Sequence, residues 1–462
     1  MRFRNIKDWV VKHPARFGTL TGWYQQACGI VAAAATVPVI LNAFSAKQSG
    51  IWFAFQGILA MVNLSDFGIS QALARQVAYS LTCNSARNNP GLDFIPTSSG
   101  WVGVAEIYLA ARRLFLRVNA AALGLVVLCY NLLLPFGRLI EHHTTTITTA
   151  WYLLGAATIT TLQSKLYQGA LDGLGQLYWG RLVSGSAQLL SGALVIVALH
   201  FKSALTAPAL AVLTVSVLQM AGLRHVLMAV AKGRLRLGRA RRQIPLRRLW
   251  KVAVPFGVVN SAAYLVSSIQ VPLLGSILGA EVIAPFYLAQ RIGQIGTNVI
   301  HQFLLPQIPL FTQQIAANDW NTACHRMRRI LLVAGLGALG CFALYYLLSP
   351  RMVELWVGPG RYVPDRVLAV MAVDYCFLTV TVGFAQFVLA SGHNPFVTTT
   401  VIAGLLNLVG CFFLSETHGA LGIAFSSLVA GVATNYWYAT WQWILLLRRL
   451  GKWTVKKDVP NS

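Results

Sequence analysis

The sequence predicts an all-helical membrane protein of about twelve transmembrane helices in two pseudo-symmetric six-helix lobes, and three observations predict it. The first is composition. Of 462 residues, 56% are hydrophobic and 11% charged, with a mean hydropathy of +0.60, and a soluble chain cannot hide so much apolar surface. The second is charge placement. The net charge is +24, yet the basic residues cluster in short gaps between apolar runs, as topogenic charge does, rather than on a nucleic-acid-binding face. The third is an internal repeat. VPVILNAFSAKQSGIWFAFQGI (37–58) aligns without gaps on VPLLGSILGAEVIAPFYLAQRI (271–292), pairing Ala46 with Ala280 and Gln56 with Gln290. A parallel repeat of this kind sets a pseudo-two-fold axis along the membrane normal, with a central cavity between the halves.

In chain order, apolar runs predict spans near 17–44, 51–72, 118–136, 147–164, 182–200, 206–229, 252–277, 283–305, 330–349, 367–390, 397–415 and 420–447. Pro38 and Pro272 mark candidate bends in the first and seventh. Residues 82–100, rich in Asn, Pro, Gly and Ser, read as an irregular loop. The following VAEIYLAARRLFLR (104–117) reads as an amphipathic helix on the inner surface, with Arg112 and Arg113 towards headgroups. The basic run 232–251 divides the chain into lobes 1–235 and 236–462. It reads as a topogenic linker or as a grip on anionic headgroups or a phosphorylated substrate. With both termini cytoplasmic, inner segments carry 29 Lys and Arg residues and outer segments six, which fixes the orientation. The basic start leads into a run too long for a cleavable signal.

Motifs for catalysis are missing. The sequence has no GxxxxGK[ST], HExxH or GxSxG, and its seven dispersed cysteines have no metal or disulfide spacing. His142 and His143, beside Glu141, read as solvated loop residues. No catalytic residue, metal or cofactor is expected, and transport is favoured over catalysis.

Polar residues inside the spans carry the functional signal. Arg291 sits near the middle of the eighth span, where insertion of an arginine costs about 2.5–3.5 kcal/mol, so such a residue faces a bundle interior or a wet cavity. Arg291, Gln294, Asn298 and His301 recur at steps of three and four and share one helix face, with Gln290 alongside. In the second span Gln56, Asn63, Asp66 and Ser70 form a matching stripe, and the seventh adds Asn260, Tyr264 and Ser267. The competing reading is that these amides only bridge helices, at about 0.6 kcal/mol per hydrogen bond. Asp66 and Asp374 either neutralise Arg291 or take up a coupling H+ or Na+. Arg224 and Lys165 add positive charge at the inner mouth, or simply snorkel. A cationic cavity entered from a basic face suits an anion carried outward, such as a diphosphate on a lipid carrier.

SDFGIS (65–70), LWVGP (355–359), and the pair ASGHNPFVTTTVIAGLLNLVG and THGALGIAFSSLVAG within 390–431 together resemble the polysaccharide-transporter, O-antigen flippase-like family. That family belongs to the superfamily that also holds multidrug and toxic-compound extruders. The resemblance implies a V-shaped bundle that flips undecaprenyl-diphosphate-linked oligosaccharide across a bacterial inner membrane by alternating access, with Arg291 in a cationic lumen. It implies partners among membrane lipids and the polymerase or assembly proteins of lipopolysaccharide or exopolysaccharide biosynthesis, and no nucleic acid. A multidrug or cation antiporter of the same superfamily is the alternative. A membrane polysaccharide polymerase or ligase is disfavoured, because the longest outer loop is only about 350–366.

Overall fold

A computed structural model describes residues 14–82, 100–136, 145–201, 204–231, 233, 244–304, 320–390 and 395–457. His142, His143, most of the 82–100 loop and most of the 232–251 run lie outside the described residues. The described residues are helical, with no strand among them, and they fall into two compact units, Met1–Ser261 and Ala262–Ser462.

The first unit contains α1 (Pro14–Ala43), α2 (Ala46–Asn63), a 3-10 turn (Leu64–Asp66), α3 (Ile69–Thr82), α4 (Gly100–Phe136), α5 (Thr145–Gly173), α6 (Leu177–Phe201) and α7 (Thr206–Ala231), and it includes the first part of α8 (Leu246–Ser267). In it α5 packs on α7, and α1 on α6. Trp151 of α5 is fully buried. Its indole N–H donates to the Val126 carbonyl at 3.1 Å, and its ring meets Phe55 edge-on at 4.9 Å. The second unit continues with α9 (Gln270–Leu278), a 3-10 turn (Ala280–Val282), α10 (Ile283–Leu304), α11 (Trp320–Val357), α12 (Asp365–Ala390), α13 (Phe396–His418), α14 (Ala420–Ala433) and α15 (Asn435–Lys457).

Each predicted span falls largely on helix among the described residues. Among the described residues nine helices are long and apolar enough to cross a membrane, ten if the bent α8–α9 pair counts as one span. The predicted spans outside that set are α5, loaded with threonines, and α10, which carries the Arg291 face.

Three features differ from the sequence reading. The segment 104–117 is no separate surface helix. It forms the first half of α4, 37 residues long or about 55 Å, against a hydrocarbon core of about 30 Å. No Gly or Pro separates it from the span, and its apolar side (Val104, Ile107, Ala111, Leu114, Phe115) is buried while Arg112 and Arg113 remain exposed. The second span is broken rather than continuous. After Asn63 the chain makes a 3-10 turn, and Phe67 (φ 42) and Gly68 (φ 69) take left-handed conformations, so the stripe from Gln56 to Ser70 does not run along one helix face. The last span is interrupted at Thr434, between α14 and α15.

Proline effects follow their mechanism. Pro272 cannot donate to the carbonyl four residues back, and the helix breaks at that residue, Ser268. Helix α1 runs through Pro38 unbroken. The two repeat segments share a helix–turn–helix with turns at equivalent positions, closed by different chemistry. Ser45 caps α2 through a reciprocal capping box with Gln48, whereas its counterpart Gly279 turns the chain with φ 94.

Candidate functional site

Helix α10 has two faces whose roles are fixed by what packs on it. Phe286, Ala289, Gln290 and Thr297 are buried, and Gly293 lies against the ring of Tyr375. Three hydroxyls pin this register. Tyr345 donates to the Ala289 carbonyl at 2.9 Å, Tyr375 to the Gln290 carbonyl at 3.3 Å, and Thr379 to Thr297 Oγ1 at 3.2 Å. Rotated about 100° from Gln290, Arg291 is thereby turned out of the unit. It is exposed, as is Asn298, with Gln294 and His301 half-buried along the same face. No described residue pairs with Arg291, and the buried Nε2 of His301 has no hydrogen-bond partner among the described residues.

Gln290 stands apart from that face. It is 4% exposed, and its amide donates to the Ser267 carbonyl at 2.8 Å and to Gln270 Oε1 at 3.1 Å. This ties α10 to the α8–α9 bend, a helix-bridging position. The Ser267 carbonyl lies beside the break, so the amide reaches a place where helical pairing is interrupted.

Asp374 lies on α12 of the same unit, 7% exposed. Its carboxylate accepts from Ser427 at 2.8 Å and from the Tyr436 hydroxyl, which the break at Thr434 aims at it. No cation among the described residues meets it, so a pairing of Asp374 with Arg291 is not what the described contacts contain. Tyr345, Tyr375 and Tyr436 were not singled out in the sequence. Tyrosines in an apolar run read as packing, and nothing local signals that Tyr345 and Tyr375 pin carbonyls of α10 while Tyr436 serves the Asp374 carboxylate.

In the first unit, Asn63 closes α2 and Lys165 donates to its carbonyl at 3.0 Å, a cation at a helix C-terminus. Lys165 therefore turns inward rather than snorkelling. Asp66 is buried and accepts from Ser70 N at 3.2 Å and Ser70 Oγ at 2.6 Å, satisfying the first turn of α3. Asn63 Oδ1 is buried without a partner among the described residues. Gln56 is half-buried on α2 and Arg224 is exposed on α7. Asn260 lies in α8, but its side chain is outside the described ones. Among the described residues no cluster of three or more His, Cys, Asp or Glu could hold a metal ion.

No family model matches the chain, and no curated protein does. Solved structures do. An inward-facing multidrug resistance MATE family transporter of the MOP superfamily superposes with a TM-score of 0.63 at 16% identity, covering 95% of this chain and 96% of its own. The lipid II flippase MurJ, in an inward closed conformation, gives 0.68 at 10% identity, covering 93% and 87%. A MOP superfamily transporter from Pyrococcus furiosus, described as having a binding pocket of reverse polarity, gives 0.62 at 15%, covering 95% and 96%. At these identities the likeness is one of fold: the chain has the transmembrane fold shared by MATE transporters of the MOP superfamily and the lipid II flippase MurJ.

Proposed function

We propose that this chain is a membrane transporter of the flippase type. Its cargo is a lipid-diphosphate-linked oligosaccharide, moved from the cytoplasmic leaflet of a bacterial inner membrane by alternating access. The observation that carries this reading is Arg291. It lies near the middle of α10, exposed on the Gln294–Asn298–His301 face, without an acidic partner among the described residues, and the sequence puts that helix in the membrane. An unpaired guanidinium at membrane depth is tolerated where water or an anionic ligand meets it, and its planar fork of donors matches phosphate oxygens. Gln294 and Asn298 offer amides of the kind that bind sugar hydroxyls. Undecaprenyl diphosphate as the carrier, and O-antigen or exopolysaccharide synthesis as the setting, follow from the family resemblance of the 65–70, 355–359 and 390–431 motifs.

The test is genetic and chemical. Cells lacking the gene should lose surface polysaccharide and accumulate a lipid-linked precursor, and wild type but not Arg291→Ala should restore export. Normal surface polysaccharide without precursor accumulation in the deletion strain would overturn the assignment.

A second reading, a multidrug or cation antiporter, is favoured by Asp374. A buried carboxylate held by two hydroxyls, with no cation beside it among the described residues, is suited to bind H+ or Na+. In that case Asp374→Asn, with Asp66→Asn beside it, abolishes proton- or sodium-dependent efflux of a cationic dye, while Arg291→Ala leaves efflux intact.

A further inference from the structure

The α10 face is not the only place where this chain joins charge to apolar surface. At the end of the second unit where α12 starts and α13 stops, a groove of about 550 Å³ is rimmed by Arg366 and His418 and floored by Val370, Leu414, Leu421 and Phe425. Beside it a wider groove of about 670 Å³ runs between α11 and α12, walled by Leu332, Leu336, Phe342, Val373 and Phe377. Both grooves share Ala369, one helical turn below Arg366. Each has a volume in the range of small-molecule sites, and both are open along one side.

We infer that this double groove is a site for one two-chain glycerophospholipid of the surrounding leaflet, its phosphate on Arg366 and His418 and one acyl chain in each groove. Two grooves that meet at Ala369, one lined by α11 and α12 and the other by α12, α13 and α14, suit an occupant with two chains. The rim explains why it carries a phosphate. Arg366 lies in the first turn of α12, is exposed, and has no ion-pair partner among the described residues. His418 has its Nδ1 hydrogen-bonded with Thr417 Oγ1 at 2.7 Å, which orients the ring and leaves Nε2 for a ligand. The neighbouring acids Asp365 and Glu416 are exposed and do not line either groove. By the charge asymmetry of the loops, this end belongs to the outer leaflet. The site is separate from the Arg291 face and does not depend on what that face carries.

Native mass spectrometry of the full-length protein, released from detergent and titrated with phosphatidylglycerol or with the matching diacylglycerol, tests this. Wild type is expected to hold one phosphatidylglycerol at least tenfold more tightly than diacylglycerol. Arg366→Gln should erase that preference, and Val370→Trp should weaken both ligands by obstructing a groove. Millimolar inorganic phosphate should not compete, because the chains supply the attachment. Three outcomes overturn the proposal: equal binding by wild type and Arg366→Gln; a loss in Arg366→Gln with none in Val370→Trp, which marks a surface ion contact; or displacement by free phosphate. Arg366 is exposed, so its variant keeps the test valid if Val370→Trp misfolds.

Discussion

Arg291 and Gln290 are adjacent in sequence and opposite in circumstance, and the difference comes from packing alone. The three hydroxyls on the far side of α10 fix which residue is inside. Steps of three and four put Arg291, Gln294, Asn298 and His301 on one face of a helix, and α10 is unbroken over them. The same reasoning could not tell a bridging amide from an open one, since Gln290 and Gln294 differ only in the tyrosines and threonines that other helices bring. Arg291→Ala should abolish export with the protein still in the membrane, and Arg291→Lys, which keeps charge but loses the fork, should retain part of it. Asp172, at the end of α5 beyond the predicted span, gives a pH prediction. Burial pushes its carboxyl up to about 7, and the Arg181 guanidinium opposes that only in part; its Oδ1 is buried without a partner among the described residues. A raised carboxyl pKa means the folded chain binds the proton that the unfolded chain has released. Stability therefore falls as pH rises from about 4 to about 7. Asp172→Asn should flatten this part of the melting-temperature profile, and an unchanged slope would show that other groups set it.

Breaks interrupt two of the helical runs, at 64–68 and at 434. Apolar runs locate the helices but read as straight, and these breaks are invisible to a hydropathy count. The physical signals were present in part. In SDFGIS, Gly68 permits a left-handed turn and Asp66 can serve the next helix, although nothing local requires Phe67 to take φ 42. What holds Phe67 is tertiary. Its ring lies 5.4 Å from that of Trp250, and its Cα is so close to Gly257 that a Cβ there would come within 2.8 Å. Gly257→Ala should therefore destabilise the protein by about 1–3 kcal/mol, as overpacking does, seen as a lower melting temperature in detergent. A neutral effect would mean that the turn relaxes freely. Lys165 belongs to the same lesson, since its ammonium reaches the carbonyl that the break exposes at Asn63. Lys165→Met, similar in length and without charge, should lower stability more than substitution of the exposed Arg224 does.

For the whole molecule, composition and charge asymmetry carried most of the information. The all-helical class and the likeness of fold to solved transporters agree, nine or ten of the predicted spans are long and apolar enough to cross a membrane among the described residues, and an impermeant thiol reagent can check the orientation. A cysteine replacing Arg351 should label from outside intact cells, and one replacing Arg328 only after permeabilisation. The proposed cargo rests on fewer residues, and chiefly on Arg291. The most direct measurement is therefore a flipping assay in vesicles reconstituted with purified protein and a lipid-diphosphate-linked oligosaccharide. Wild type should move the glycolipid between leaflets, Arg291→Lys should do so more slowly, and Arg291→Ala should not exceed protein-free vesicles. Equal flipping by wild type and Arg291→Ala would contradict the account.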